Sequence, residues 1–410
     1  MSKSYKNYKP KKPITPTFQV PESGPWDITK IDNLHFSWDG PLSYNKTWNF
    51  AIGERESGKS VNSWIKLYNA FYFEEMPSIV LRRRIVDMTS AYIDDIATLL
   101  NKFLKPEEAI QLLYLKGDVS SGIADVHVAP LSVGPVAPIS IKKYPVFFRL
   151  IGLSTPMNRI KSLLLRNVKY FFFDEILANT AGGERYLPGD EHFLISEIYT
   201  TYNRESEKPI RILAAGNPYS VYCPVFSALG VDSNKLKPGA FVVGPDYVID
   251  CFQTPAELKE KILAANPMYQ FDDAYKRYAF DGESINDQNI RLCKKEPRGF
   301  KLKWVLKIGN DYLSIHRGKP PVLSKKNRKK RDYQPMIFWV CAHKSDWLDK
   351  VSKNRRIVVF NFNDLMAGAV RWSAADLQTI GTLTSALNQR QVGYNNVAAS
   401  YMLLDVLHYS

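Results

Sequence analysis

Two short stretches of this chain carry groups that could act on a phosphate ester. The first, Gly53-Glu54-Arg55-Glu56-Ser57-Gly58-Lys59-Ser60, spells the phosphate-binding loop G-x-x-x-x-G-K-[ST]. Its glycines let consecutive backbone N–H groups curl around an anion. Lys59 is expected to set its ammonium on the β and γ phosphates of ATP, and Ser60 to give its hydroxyl to Mg²⁺. The second is Asp174-Glu175, which closes the apolar run Tyr170-Phe171-Phe172-Phe173. Asp174 would hold the Mg²⁺ shell, and Glu175 would polarise the attacking water as general base. The glutamate beside the metal-holding aspartate favours a hydrolase over a kinase or a GTPase.

A third polar position, Asn217, ends the apolar run Ile210–Ala215 and Gly216. It can hydrogen-bond the γ-phosphate or the lytic water, or serve simply as the turn residue before Pro218. Phosphoryl transfer also needs cations beyond Lys59. The candidates are Arg55 within the loop, Arg82–Arg84, Arg159, Lys161 and Arg204.

These groups need strands and helices to hold them. Trp48–Ile52 reads as a strand feeding the loop, and Val61, Trp64, Ile65, Tyr68 and Phe71 recur at helical spacing after it. Ile79–Leu81, Val146–Ile151, Tyr170–Phe173 and Ile210–Ala215 read as further strands separated by helical stretches. That alternation predicts an α/β domain with a mostly parallel sheet, with ligands beyond the carboxyl ends of the strands. From about residue 300 the pattern changes to hairpins: 302–308, a turn at Gly309-Asn310, then 312–316. Strands near 337–341 and 357–362 and helices over 374–389 and 395–408 complete a smaller α+β domain. The boundaries that follow are a flexible basic arm over 1–25, an ATPase domain over 26–245, a helical linker or lid over 246–299, and a C-terminal domain over 300–410.

Composition narrows the classes. The 410 residues are 45% hydrophobic and 13% aromatic, as in a globular protein. No apolar run approaches the ~18 residues of a membrane span, and the Lys- and Pro-rich beginning is unlike a secretion signal. Cys223, Cys251, Cys293 and Cys341 are far apart, with no paired spacing for zinc or a disulfide frame. The net charge of +14 is concentrated. Lys3, Lys6, Lys9, Lys11 and Lys12 fall in 1–21 without an acid, and Lys319, Lys325, Lys326, Arg328, Lys329, Lys330 and Arg331 fall in 318–331 without one. Such segments suit local contact with a polyanion, or else only aid solubility.

Taken in order, these residues resemble the genome-packaging ATPases (encapsidation proteins) of small, short-tailed phages with protein-primed double-stranded DNA, compact relatives of terminase large subunits. The likeness rests on the loop with arginine in its third position, the strand ending in Arg82-Arg83-Arg84, Leu153-Ser154 and Lys161-Ser162 before Phe173-Asp174-Glu175, and Asn203-Arg204-Glu205 before the strand leading to Asn217. Asn363-Asp364-Leu365 and Gly393-Tyr394-Asn395-Asn396 are similar to the family's closing pattern. The arm, the segment around 105–140 and the basic loop depart from shorter members. The resemblance implies a P-loop NTPase of the ASCE type, followed by an RNase H-like domain. It implies a homo-oligomeric ring, a pentamer by family pattern, with ATP between subunits. The partners would be double-stranded DNA, the capsid portal and a structural RNA, with no membrane; the place would be the host cytoplasm and, transiently, the portal vertex. Arg204, and with it Lys161, would reach in trans to the neighbouring subunit's nucleotide.

Two alternatives stand beside this: a terminase that also cuts DNA, and a non-motor P-loop NTPase acting as an assembly factor. Against cutting, the acids after Glu296 are Asp311, Asp332, Asp346, Asp349, Asp364, Asp376 and Asp405. Two-metal cleavage needs several carboxylates converging from adjacent strand ends, and each of these has an ordinary structural place, such as a hairpin turn for Asp311. The C-terminal domain is therefore expected to be a vestigial nuclease.

Overall fold

The computed structural model describes residues 24–163, 165–179, 184, 186–187, 191–204, 206, 208–220, 223–232, 235–265, 295–308, 311–318, 336, 338–343, 359–361 and short stretches between 383 and 403. The chain divides into two compact units, Met1–Asn286 and Asp287–Ser410.

In the first unit the strands are β1 (Trp48–Gly53), β2 (Ser78–Arg82), β3 (Ile110–Leu113), β4 (Ile123–Pro130), β5 (Val146–Gly152), β6 (Tyr170–Phe173), β7 (Arg211–Gly216), β8 (Phe241–Val243) and β9 (Tyr247–Phe252). They form one sheet in the order β3-β4-β5-β2-β6-β7-β1-β9-β8. Every pairing from β5 to β9 is parallel, while β3–β4, β4–β5 and β8–β9 are antiparallel. The helices are α1 (Asp39–Leu42), α2 (Lys59–Glu74), α3 (Ser90–Asn101), α4 (Lys116–Ser120), α5 (Met157–Ser162), α6 (Glu191–Asn203), α7 (Pro224–Ala228) and α8 (Ala256–Ala265).

A parallel sheet is covered on both faces, so its strands must be apolar on both sides. β6 shows how. Phe172 points to the face carrying α2, where its ring meets Trp64 edge-on at 5.5 Å. Phe171 points to the other face and meets Tyr199 and Tyr202 of α6 at 5.8 and 5.9 Å. Trp64 also packs on Phe148 of β5 at 5.2 Å, which fixes α2 across the sheet. Because β7 lies between β1 and β6, Asn217 emerges between the phosphate loop and Asp174-Glu175.

One correction concerns this unit. Residues 246–299 do not begin as a helical linker. Tyr247–Phe252 are β9, paired in parallel with β1 and largely buried, as the β-branched and aromatic character of that run favours. Only α8 of the expected helical stretch is described; residues 266–294 lie outside the described residues. The segment around 105–140 contributes β3 and β4, which extend the sheet beyond β5.

The second unit holds β10 (Lys301–Ile308), β11 (Asp311–Arg317), β12 (Phe338–His343), β13 (Val359–Asn361) and β14 (Val392–Tyr394), in the order β13-β10-β11-β12-β14. The three central strands are antiparallel, and the two outer strands each join in parallel. Asp311 is the first residue of β11 and is paired in register with Ile308, the last residue of β10. Residues 1–23 of the arm, 319–331 of the basic loop, and Asp332, Asp346, Asp349, Asp364, Asp376 and Asp405 lie outside the described residues.

Candidate nucleotide site

β1 delivers the chain into a loop that closes at Gly58, where φ is +82°. A Cβ at that position would lie 2.8 Å from His35 Cβ, so conformation and space both call for glycine. α2 starts at once, aiming the free N–H groups of its first turn at the loop. Lys59 is buried there, and its Nζ donates to Gly53 O at 2.9 Å, Glu54 O at 2.6 Å and Ser57 Oγ at 3.0 Å. Burial pushes the Lys59 pKa down to about 7, against the opposing pull of Asp174 and Glu54.

The remaining loop residues divide by role. Glu54 is fully buried and faces away from the loop mouth; its Oε2 accepts from Thr254 N–H at 2.8 Å and its Oε1 lies 2.9 Å from Lys259 Nζ on α8. Its side chain braces the loop, leaving its backbone for a phosphate. Glu56 is exposed, with φ of +57°. Arg55 donates to the Tyr219 hydroxyl at 2.9 Å, and Tyr219 N–H donates to Asn217 O at 2.7 Å, so the loop is tied to the end of β7.

Across from the loop, the Ser60 hydroxyl donates to Asp174 Oδ1 at 3.2 Å. Two hard oxygen donors facing each other suit a small divalent cation that shares its shell with nucleotide phosphates. Among the described residues no three His, Cys, Asp or Glu side chains could hold a metal by themselves. Burial raises the Asp174 pKa to about 6; the neighbouring Glu175 adds to the rise, and Arg82, Ser60 and Lys59 oppose it.

Glu175 adopts a left-handed backbone, φ +62°, which costs a residue with a Cβ about 1–2 kcal/mol. Its carboxylate meets Arg82 Nη2 at 3.2 Å, and the Arg82 guanidinium lies 4.7 Å over the Tyr92 ring. Arg83, next along, is buried and bonds to the backbone of the Glu175 turn and to Glu191.

The structure thus brings together Gly53–Ser60, Asp174, Glu175 and Asn217 at the carboxyl ends of β1, β6 and β7. Other cations named from the sequence stand apart. Arg159 donates to Ser121 O at 2.7 Å, and Lys161 pairs with Glu197 of α6 at 2.8 Å. Arg204 is exposed just past the C-terminal end of α6, whose 13 residues span about 20 Å from Glu191. Sequence reasoning did not find the Arg83–Glu191 pair, the Tyr92 platform or the Glu54 brace. The signal for the first was the oddity of three arginines directly after an apolar strand.

No protein-family model and no curated protein sequence matches the chain. Solved structures that share its fold include two chains of phage packaging motors. A chain of the Phi-28 gp11 DNA packaging motor superposes with a TM-score of 0.57 at 19% identity, over 92% of this chain and 98% of that one. A chain of the bacteriophage Phi-29 viral genome packaging motor assembly gives a TM-score of 0.53 at 15% identity, over 92% and 99%. At these identities the likeness is one of fold, and it extends over nearly the whole of each chain.

Proposed function

We propose that this chain is the ATP-hydrolysing subunit of a motor that moves double-stranded viral DNA into a preformed capsid. The observation that carries the proposal is one arrangement. A phosphate loop on β1 and an Asp-Glu pair on β6 flank β7, in a fold shared end to end with phage packaging motors.

In this reading the backbone of Gly53–Ser60 and the Lys59 ammonium would bind the β and γ phosphates, and Ser60 and Asp174 would hold Mg²⁺. Bound there, Mg²⁺ supplies charge neutralisation on the phosphate oxygens. Lys59 must exchange its three contacts within the loop for phosphate oxygens. Glu175 must leave Arg82 to polarise the water, and Arg82 is then free to face the developing negative charge. Arg204, exposed at the far end of α6, serves the neighbouring subunit in a ring, taken as a pentamer; Lys161 is the second candidate for that role. Arg55, through Tyr219, links the loop to Asn217 and so to the state of the γ-phosphate. The second unit, an antiparallel trio with parallel strands at each edge, is read as a vestigial RNase H-like domain that grips DNA or the portal. The basic arm and basic loop would meet DNA or a structural RNA at the capsid vertex.

The experiment is steady-state ATP hydrolysis by the full chain with and without duplex DNA and empty portal-bearing capsids. Stimulation by both supports the motor. Hydrolysis indifferent to DNA would favour the assembly-factor alternative. Plasmid nicking in Mn²⁺ would favour a cutting terminase.

A further inference from the structure

β2 ends at Arg82, Arg83 and Arg84 follow it, and alternation along an extended chain sends neighbours to opposite sides. Arg82 meets the Glu175 carboxylate. Arg83 goes the other way, into the protein, where it is 7% exposed. Its Nε donates to Glu191 Oε1 at 2.9 Å, and its Nη2 donates to Glu175 O at 3.1 Å and Ile176 O at 2.9 Å. Its guanidinium lies 5.4 Å from the Phe173 ring and 5.1 Å from the Tyr186 ring. Ile176 N–H in turn donates to Ala215 O of β7 at 2.9 Å.

The turn that Arg83 grips is the one whose first residues are Asp174 and Glu175, and Glu175 holds φ of +62° without being glycine. A left-handed residue with a Cβ persists only where its surroundings over-determine it. Here they do so by pinning both carbonyls that follow the φ angle, from one planar fork. Glu191 is itself 1% exposed and opens α6, so the same guanidinium ties the turn to the first residue of that helix. Lysine could not substitute: its single ammonium has no fixed fork to divide between a carboxylate and two carbonyls.

We propose that Arg83 is a positioning residue for the general base: it fixes the backbone of the Glu175 turn so that the carboxylate projects beyond the sheet toward the γ-phosphate, and Glu191 holds the fork in place. This rests on Glu175 being the base. Arg83 is buried and spends its hydrogen bonds on Glu191 and the turn's carbonyls, so its loss should alter turnover and leave binding intact.

The test is a double-mutant cycle on the full-length protein, with single-turnover hydrolysis of labelled ATP and separate nucleotide-binding titrations. Arg83→Lys is expected to lower the hydrolysis rate tenfold or more while the ATP dissociation constant stays within about twofold. In a Glu175→Ala background the same substitution should change the residual rate by less than about twofold, because the group it positions is gone. An equal loss in both backgrounds would overturn the proposal, as would an Arg83→Lys protein with full turnover. Should Arg83→Lys not fold, Glu191→Gln keeps the shape and removes the charge that holds the fork. It should show a smaller rate loss with the same dependence on Glu175. If neither variant folds, Arg83 is a core ion pair alone and the proposal falls. Undiminished hydrolysis by Glu175→Ala itself would instead reject Glu175 as the base, a distinct outcome.

Discussion

Nucleotide binding to this site should change its proton count, and the sign should reverse with pH. Lys59 has a pKa of about 7 in the nucleotide-free protein because burial disfavours its charge. Phosphates around it restore the charged form. At pH 8 the free site is about nine-tenths deprotonated at Lys59, so binding takes up about 0.9 proton there. Asp174 has a pKa of about 6, raised by burial and by Glu175, and Mg²⁺ requires it ionised. At pH 6 binding therefore releases about 0.5 proton from Asp174 and takes up about 0.1 at Lys59. The two balance near pH 6.5, midway between the two values, where affinity for Mg-ATP should peak. Above it, the logarithm of the association constant should fall by about 0.9 per unit at pH 8; below it, affinity should fall as pH drops. Calorimetric titration in buffers of high and low ionisation enthalpy, with Mg²⁺ in excess, reads the proton count directly. Lys59→Arg, which keeps its charge throughout, should abolish the uptake at pH 8, and Asp174→Asn the release at pH 6. Uptake below about 0.3 proton at pH 8, or uptake that survives Lys59→Arg, would refute the reasoning.

Other consequences are separable. Lys59→Ala should weaken ATP binding, whereas Glu175→Ala should bind ATP and lose ~10²-fold or more in hydrolysis; intact turnover in both would remove the assigned site. Arg204→Ala should be inactive alone and regain some hydrolysis when mixed with Glu175→Ala, since one kind of subunit junction then has both groups; no recovery at any ratio would place the finger elsewhere. Neutralising four of the seven cations in 318–331 should flatten the log–log salt dependence of DNA binding by roughly three to four, if all four meet phosphates. Trp64→Ala, which empties a site walled by Phe148 and Phe172, should cost about 3–5 kcal/mol in denaturant unfolding.

What the sequence disclosed was local. Gly53–Ser60 announces its loop because glycines, lysine and serine sit at fixed offsets between an apolar run and a helical period. Tyr170–Glu175 is legible because a doubly covered strand is apolar at every position and then stops at acids. What stayed hidden depends on distance along the chain. Arg83 and Glu191 are 108 residues apart, and Glu54 reaches Thr254 across 200. No periodicity encodes such a meeting, so the three arginines Arg82–Arg84 at the end of β2 read as interchangeable cations. The structure divides two of them between the carboxylate and the backbone of one glutamate. β9 falls within the expected linker because a short apolar run between two domains carries no sign of its partner until β1 pairs with it. The partners of β1 are set by the fold of the whole sheet.

The most direct trial of the motor is the amount of duplex DNA made nuclease-resistant inside empty capsids, measured with ATP and with each of two proteins, the parent and Glu175→Ala. The parent should protect unit-length DNA in proportion to ATP hydrolysed, and Glu175→Ala should bind ATP and capsid yet protect none. DNA protected equally by both proteins, or none protected by a parent that hydrolyses ATP vigorously on the same capsids, would contradict it.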